Sequence, residues 1–126
     1  MNSNPVGWFE IYVQDIDRAK RFYESVFQFK LERLNSPVGS EIELWAFPMV
    51  KGGSGAPGAL VKMKGGPSGG NCVLVYFMCA DCAIEAARAV AAGGQIMREK
   101  MSIGQYGFIS LITDSEGNMV GLHSMQ

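Results

Sequence analysis

The sequence predicts an α+β fold made of two βαβββ modules, and three observations indicate it. Trp8–Val13 alternates in the manner of a strand, and Asp15 then precedes an apolar pattern with helical spacing. The same order returns 66 residues later, where Val73–Cys79 leads to Asp81 and an Ala-rich helix. Further strand patterns follow both helices. Two copies of one small unit predict a pseudo-symmetric domain, in which a curved mixed β-sheet forms a cleft and the helices lie outside.

The first module, about residues 7–63, starts with a half-buried strand. Its faces alternate, with Phe9, Ile11 and Val13 on one side and Trp8, Glu10 and Tyr12 on the other. Asp15 or Asp17 can cap the next helix, because a carboxylate accepts the unpaired N–H groups of a helix start. Helical spacing then joins the apolar residues Ala19, Phe22, Tyr23 and Val26. The remaining strands are predicted at Lys30–Leu34, Glu41–Phe47 and Ala59–Met63, with a turn-rich segment at 35–40.

The second module, about residues 71–124, repeats this order. Its helix is predicted at Ile84–Ala92 and ends at the Gly93-Gly94 pair. A turn rich in polar residues precedes the last strand, and its Gly117-Asn118 pair suits positive φ angles. The predicted strands are Val73–Cys79, Gln95–Lys100, Phe108–Thr113 and Met119–His123.

Length, composition and charge restrict the class of protein. A chain of 126 residues with 48% hydrophobic and 18% charged residues is typical of one soluble globular domain, here residues 1–126. Its net charge of −1 gives no electrostatic basis for binding nucleic acid or an anionic membrane. No apolar run has membrane-spanning length, and no leader pattern opens the sequence. Three cysteines do not form a closed disulfide framework, so we expect a cytoplasmic protein.

A Gly-rich segment at Gly53–Gly58 matches the pattern G-x-G-x-x-G of dinucleotide sites. Such a site needs a helix to follow, so that the helix N-terminus meets the pyrophosphate. The strand pattern at Ala59–Met63 follows instead. We therefore expect no nucleotide at this segment and no bound cofactor elsewhere.

Two ends of the chain carry a family resemblance. Residues 13–19 (Val-Gln-Asp-Ile-Asp-Arg-Ala), followed by Phe22-Tyr23 and Val26-Phe27, resemble the opening signature of the vicinal oxygen chelate superfamily. Residues 114–120 (Asp-Ser-Glu-Gly-Asn-Met-Val) resemble its closing turn and last strand. The superfamily includes glyoxalase I, bleomycin-resistance proteins and extradiol dioxygenases. The resemblance covers residues 7–124, is closest to uncharacterised glyoxalase-like proteins, and implies the same two-module fold.

The resemblance also implies where metal ligands of the family would lie. These positions are Trp8 and Leu74 on the first strands, Gly121 on the last strand, and the strand Ala59–Met63. Indole, aliphatic and glycine residues supply no ligand for a divalent ion. We therefore expect a metal-free protein, and a set formed by Glu10, Glu43 and His123 stays open as an alternative metal site.

The ligand positions also define the side chains that we expect to face the cleft. Residues of the same parity share a strand face. This parity selects Trp8, Glu10, Tyr12, Cys72, Leu74, Tyr76, Met78, Met119, Gly121 and His123. The face of Glu41, Glu43, Trp45 and Phe47 is left undetermined by the sequence.

Two ionisable residues are candidates for catalysis. Glu10 lies between two aromatic residues on its strand face, so we expect its carboxylate to be paired, solvated or functional. The alternative to a functional role is an ion pair with Lys or Arg. His123, the one histidine, is a general base, a metal ligand, or a surface or capping residue. The candidate substrate-binding residues are Trp8, Tyr12, Glu43, Tyr76 and Tyr106. Tyr106 lies in a Gly-flanked loop that either borders the cleft or simply packs an aromatic ring.

Sulfur-containing residues have structural explanations. Cys79 and Cys82 form a C-x-x-C pattern at a strand–helix junction, but Asp81 between them opposes a thiolate and already serves as the cap. A zinc site would also need Cys72 and His123. The methionines 97, 101 and 119 are interpreted as core filling.

Three classes of function remain: a lyase- or isomerase-like enzyme, a metal-free binding protein for a small organic compound, and an accessory subunit. The aromatic cleft and the missing ligands favour binding of a small molecule in the cleft between the modules. The alternative is a lyase, isomerase or dioxygenase with a non-standard metal site. We also expect a homodimer, because the strand Ala59–Met63 is predicted as an edge that needs protection.

Overall fold

The computed structural model describes residues 4–36, 41–69 and 72–126. The strands within these ranges are β1 (Val6–Tyr12), β2 (Glu32–Leu34), β3 (Ile42–Ala46), β4 (Gly58–Met63), β5 (Val73–Met78), β6 (Gln95–Ser102), β7 (Phe108–Thr113) and β8 (Met119–Ser124). The helices are α1 (Ile16–Phe27), α2 (Cys82–Ala91) and a short 3-10 helix, Gly104–Tyr106. The predicted turn at 35–40 lies partly outside the described residues.

The chain divides into two compact units. The first unit is Trp8–Val73, and the second comprises the residues up to Gly7 with Leu74–Gln126. Strands of the first unit lie in the order β2-β3-β4-β1, with β1 parallel to β4 and the other neighbours antiparallel. Strands of the second lie in the order β6-β7-β8-β5, with the parallel pair β5–β8. The predicted α+β class and its repeated βαβββ order are confirmed.

Strand β4 is an interior strand of the first unit. It pairs with β3 on one side and with β1 on the other. The expectation that Ala59–Met63 is an exposed edge was therefore wrong, because the sequence pattern did not show the parallel partner. The edge-strand argument for a homodimer therefore fails, and the homodimer itself stays a prediction.

Both helices begin with the predicted aspartate caps. The Asp15 carboxylate accepts a hydrogen bond from the Arg18 backbone N–H at 3.0 Å, and Asp81 accepts one from Ala83 at the same distance. After α2, Gly93 adopts a φ of 105°, as expected of a glycine that ends a helix. The C-cap of α1 is instead Gln28, whose left-handed φ of 59° the sequence did not indicate because the residue is not glycine.

Each helix covers a hydrophobic cluster of its own unit. In the first unit, the buried cluster is Ile16, Leu31 and Leu60, with Ile11, Val13, Ala19, Tyr23, Trp45 and Phe47 against it. In the second, the cluster is Cys82, Ala86, Ile112 and Leu122. Of the predicted helical stripe, Ala19 and Tyr23 pack inward, while Phe22 and Val26 are exposed. The predicted buried stripe therefore wrongly included two residues that are exposed to solvent.

Two further predictions have opposite outcomes. Strand β4 begins at Gly58, so the G-x-G-x-x-G segment leads into a strand as predicted. The interpretation of the methionines as core filling was wrong for Met97 and Met119, which are about half exposed.

None of the helices in the described ranges is long and apolar enough to cross a membrane.

Candidate functional site

The first strand presents two chemically different faces. Ile11 and Val13 pack toward helix α1, and the ring of Phe9 lies 5.4 Å from that of Phe47 in the same layer. By strand alternation, Trp8, Glu10 and Tyr12 share the opposite face. We call these three residues the polar face of β1. All three are half-buried.

Both neighbours on this face donate hydrogen bonds to Glu10. The indole Nε1 of Trp8 donates to one carboxylate oxygen at 3.2 Å, and the Tyr12 hydroxyl donates to the other at 2.7 Å. Bonds to both oxygens fix the plane of the carboxylate, and charged acceptors make stronger hydrogen bonds than neutral ones. These two donors on its own strand are neutral, and the alternative of a Lys or Arg partner for Glu10 stays a prediction.

Glu43 lies on the other face of the first unit. Its strand neighbours Trp45 and Phe47 pack against the cluster beneath α1, which places the same-parity Glu43 on the helix side. There it accepts a hydrogen bond from Trp45 Nε1 at 2.7 Å, and Arg33 approaches it to 3.8 Å. The structure therefore does not bring Glu43 onto the face of Glu10, and strand parity alone could not reveal this.

In the second unit, Tyr76 fills the space beside Gly121. The two residues are register partners on β5 and β8, and a Cβ built on Gly121 would overlap the tyrosine ring. Tyr76 is only 7% exposed, as is Leu74 two residues earlier. The predicted face of β5 is therefore largely a packed surface.

His123 contacts the loop that carries Tyr106. Its ring Nε2 lies 2.6 Å from the Tyr106 carbonyl oxygen, so Nε2 carries the proton and donates. Tyr106 ends the 3-10 helix, and a donor at a terminal carbonyl is a capping contact. The arrangement corresponds to the capping alternative for His123, while a role in catalysis stays a prediction.

The residues at the family's metal positions do not fit a metal ion. Trp8 binds Glu10 through its indole, Leu74 is aliphatic and buried, and the Tyr76 ring occupies the space that a side chain at Gly121 would need. Across residues 4–36, 41–69 and 72–126, no three His, Cys, Asp or Glu side chains are grouped closely enough to hold an ion. The alternative set of Glu10, Glu43 and His123 is not assembled there, because Glu10 and Glu43 lie on opposite faces.

The C-x-x-C segment does not form a reactive thiol pair. Burial, and then the nearby Glu85 carboxylate, raise the pKa of Cys79 to about 11. Cys82 is fully buried, and its backbone N–H donates to Ser124 Oγ at 3.0 Å. A thiol with a raised pKa is protonated near neutrality and is a poor nucleophile.

A pocket that the sequence patterns did not indicate lies where β1 ends and α1 begins. This open depression has a volume of about 370 Å³. It is lined by Tyr12, Val13, Gln14, Asp15, Arg18, Ala19, Phe22, Tyr23 and Ser68. The available signal was Arg18, a cation in the first turn of a helix, where the helix dipole disfavours positive charge.

Solved structures of other proteins share this fold. Methylmalonyl-CoA epimerase from Mycobacterium tuberculosis aligns with a TM-score of 0.68 at 15% identity, over 97% of this chain and 88% of that chain. A hypothetical protein from Bacillus halodurans C-125 aligns with a TM-score of 0.73 at 12% identity, over 99% and 96%. Methylmalonyl-CoA epimerase from Streptomyces coelicolor aligns at 0.67 and 16%, over 96% of both chains. At these identities the likeness shows the fold alone.

Sequence comparison identifies the family. The protein named "Putative glyoxylase CFP32" in Mycobacterium tuberculosis and Mycobacterium bovis is 30% identical over 118 residues, which are 92% of this chain. The chain spans 44% of the length of that relative. The sequence model of the Glyoxalase/Bleomycin resistance protein/Dioxygenase superfamily matches residues 6–122. This chain therefore belongs to the Glyoxalase/Bleomycin resistance protein/Dioxygenase superfamily.

Proposed function

We propose that the protein binds a small organic ligand on the polar face of β1 and that this site uses no metal ion. The observation that carries the proposal is the Glu10 carboxylate held by Trp8 and Tyr12. A carboxylate fixed in one plane on a half-buried strand is suited to orient one polar group of a ligand. Its aromatic neighbours supply flat apolar surface, which is the usual composition of small-molecule sites.

The charge of Glu10 indicates which ligands fit. An ionised carboxylate accepts hydrogen bonds and attracts positive charge. The proposed ligand is therefore a flat organic compound that carries an amine or another strong hydrogen-bond donor. The residues themselves support a metal-free site, since Trp8 and Gly121 offer no ligand atom at two positions where the family resemblance implies metal ligands.

A second candidate is an isomerase- or lyase-like enzyme in which Glu10 acts as a general base. The same fixed carboxylate supports it, because a base must be held within reach of the proton that it removes. The name of the curated relative refers to glyoxylase activity. Turnover of the methylglyoxal–glutathione adduct, with and without added zinc or nickel, tests this candidate. Activity that requires added metal would contradict the metal-free proposal.

Binding is tested with 2-naphthylmethylamine, a flat cation, followed by two-dimensional NMR of the whole chain. We expect the amides of Trp8–Tyr12 to shift, and chelation with EDTA to leave the affinity unchanged. Glu10→Gln should weaken binding at least about tenfold, since a hydrogen bond to a charged group contributes ~1.5–3 kcal/mol. Glu32→Gln removes an exposed carboxylate of the same unit and is the matched control. Equal affinity of the Glu10→Gln protein would contradict the proposal.

A further inference from the structure

The pocket at the start of α1 contains an arginine that forms no close ion pair among the described residues. Arg18 lines this pocket and is exposed. Its guanidinium forms no ion pair within the part of the chain that the structure describes, where the ion pairs are Arg33–Glu43 and Lys100–Asp81. The first turn of a helix is a position where positive charge does not stabilise the helix. The stability of α1 therefore does not account for an arginine at position 18.

The acidic residue of the pocket is already engaged. Asp15 accepts the backbone N–H of Arg18 and serves as the helix cap. That hydrogen bond, and then nearby cations, hold the pKa of Asp15 below its usual value. The cations are Arg18, Arg21 and Lys62. Three cations thus act on the one carboxylate of the lining, and a ligand would pair with the Arg18 guanidinium, since the Arg18 backbone N–H is occupied.

Aromatic side chains form part of the remaining wall. Phe22 and Tyr23 line the pocket with their rings 5.1 Å apart in an edge-to-face arrangement. Phe22 is 59% exposed, which is unusual for a phenylalanine that only fills a core. A volume of about 370 Å³ lies within the range of small-molecule pockets.

We infer that this pocket binds a small organic anion, whose carboxylate or phosphate pairs with Arg18 while its flat apolar body lies against Phe22 and Tyr23. A guanidinium presents parallel N–H groups that match the oxygens of either anion. The pocket shares Tyr12 with the polar face of β1, but its charge is opposite to that of Glu10. It is a second site, with a different class of ligand.

The test uses 2-naphthoate, which has the ring system of 2-naphthylmethylamine and the opposite charge. Two-dimensional NMR of the whole chain should show shifts at residues 13–18 and at Ser68. The neutral 2-naphthylmethanol should bind at least about tenfold more weakly. Titration of 2-naphthyl phosphate then identifies the preferred anion, as the tighter of the two ligands. Failure of both anions to bind at millimolar concentration would overturn the inference.

Variants separate this site from the proposed one. Arg18→Gln should weaken 2-naphthoate binding about tenfold or more, whereas Arg88→Gln removes an exposed helical arginine of the second unit and should leave the affinity unchanged. Phe22→Ala, at an exposed position, should weaken binding without unfolding the chain, which circular dichroism checks. Unchanged affinity in Arg18→Gln would overturn the inference while leaving the role of Glu10 intact.

Discussion

The two units share a strand order and a helix cap but differ at the corresponding positions of their first strands. With the repeat of 66 residues, Trp8, Glu10 and Tyr12 correspond to Leu74, Tyr76 and Met78. In the first unit these positions hold a carboxylate with two donors from its own strand. In the second, Leu74 and Tyr76 are buried. A repeated backbone therefore does not require repeated side-chain chemistry, since only one copy places a carboxylate at these positions.

The helices of the two units also rest on different surfaces. Helix α1 packs its Tyr23 ring edge-to-face against Phe47, with the ring centres 5.4 Å apart. Helix α2 buries the small residues Cys82 and Ala86. Small residues let a helix approach its sheet closely, whereas aromatic residues hold it farther away and leave ring edges at the rim. Phe22, at the α1 pocket, is exposed.

The largest expected effect tests the packed face of the second unit. Gly121→Ala should lower the free energy of unfolding by ~1–3 kcal/mol, the cost of inserting a methyl group into filled space. The reason is overlap of the new Cβ with the buried Tyr76 ring. Urea denaturation measures the change.

A double-mutant cycle with Tyr76→Leu gives the control for this prediction. In the Tyr76→Leu background the methyl group at position 121 meets a smaller neighbour, so the added cost should shrink. An identical cost in both backgrounds would show that the ring does not set the penalty. The packed Tyr76 ring would then not explain how this face of the second unit differs from the polar face of β1.

The sequence predicted most of the fold because its signals are local. Alternation along β1 and the aspartate before each helix depend on residues only a few positions apart. Alternation correctly separated Ile11 and Val13 from the face of Glu10. The ends of the strands were placed within about two residues, as expected of frayed termini.

The candidate site was less predictable because it depends on contacts between strands. Parity could not tell which face of β3 carries Glu43, since both orientations give the same alternation. The contact of Tyr76 with Gly121 joins residues that are far apart in sequence, and no local pattern encodes it. The pocket beside Arg18 likewise needs Ser68 from a distant loop.

An intermediate effect is expected from the helix caps. Both Asp15 and Asp81 accept backbone N–H groups, but Asp81 also accepts a hydrogen bond from Lys100 Nζ at 2.9 Å. The pKa of Asp81 is lowered first by this Lys100 contact and then by the Ala83 N–H. Asp81→Ala should therefore reduce the thermal midpoint at neutral pH more than Asp15→Ala does.

The pH dependence follows from the direction of these shifts. A carboxylate with a lowered pKa in the folded state stabilises the fold above its unfolded pKa, near 3.8 for aspartate, and loses this contribution as the pH falls through the folded value. Stability measured from pH 5 down to pH 2 should fall less steeply in Asp81→Ala than in the unchanged protein. Parallel curves would indicate that the Lys100 contact does not act on stability.

The smallest effect concerns a lysine that each unit places over an aromatic ring. Lys20 Nζ lies 3.8 Å from the Trp45 ring centre, and Lys100 Nζ lies 4.7 Å from that of Phe108. Lys20→Gln removes a cation–π contact at a half-buried lysine, and urea denaturation should show a loss of ~0.5–1 kcal/mol, the scale for such contacts near the surface. Lys30→Gln, at an exposed position after α1, removes the same charge without the ring and should change nothing. Lys100→Gln should cost more than Lys20→Gln, because Lys100 also pairs with Asp81. A larger loss from Lys20→Gln would mean that the ring contact outweighs the ion pair, and the ranking of the two units would reverse.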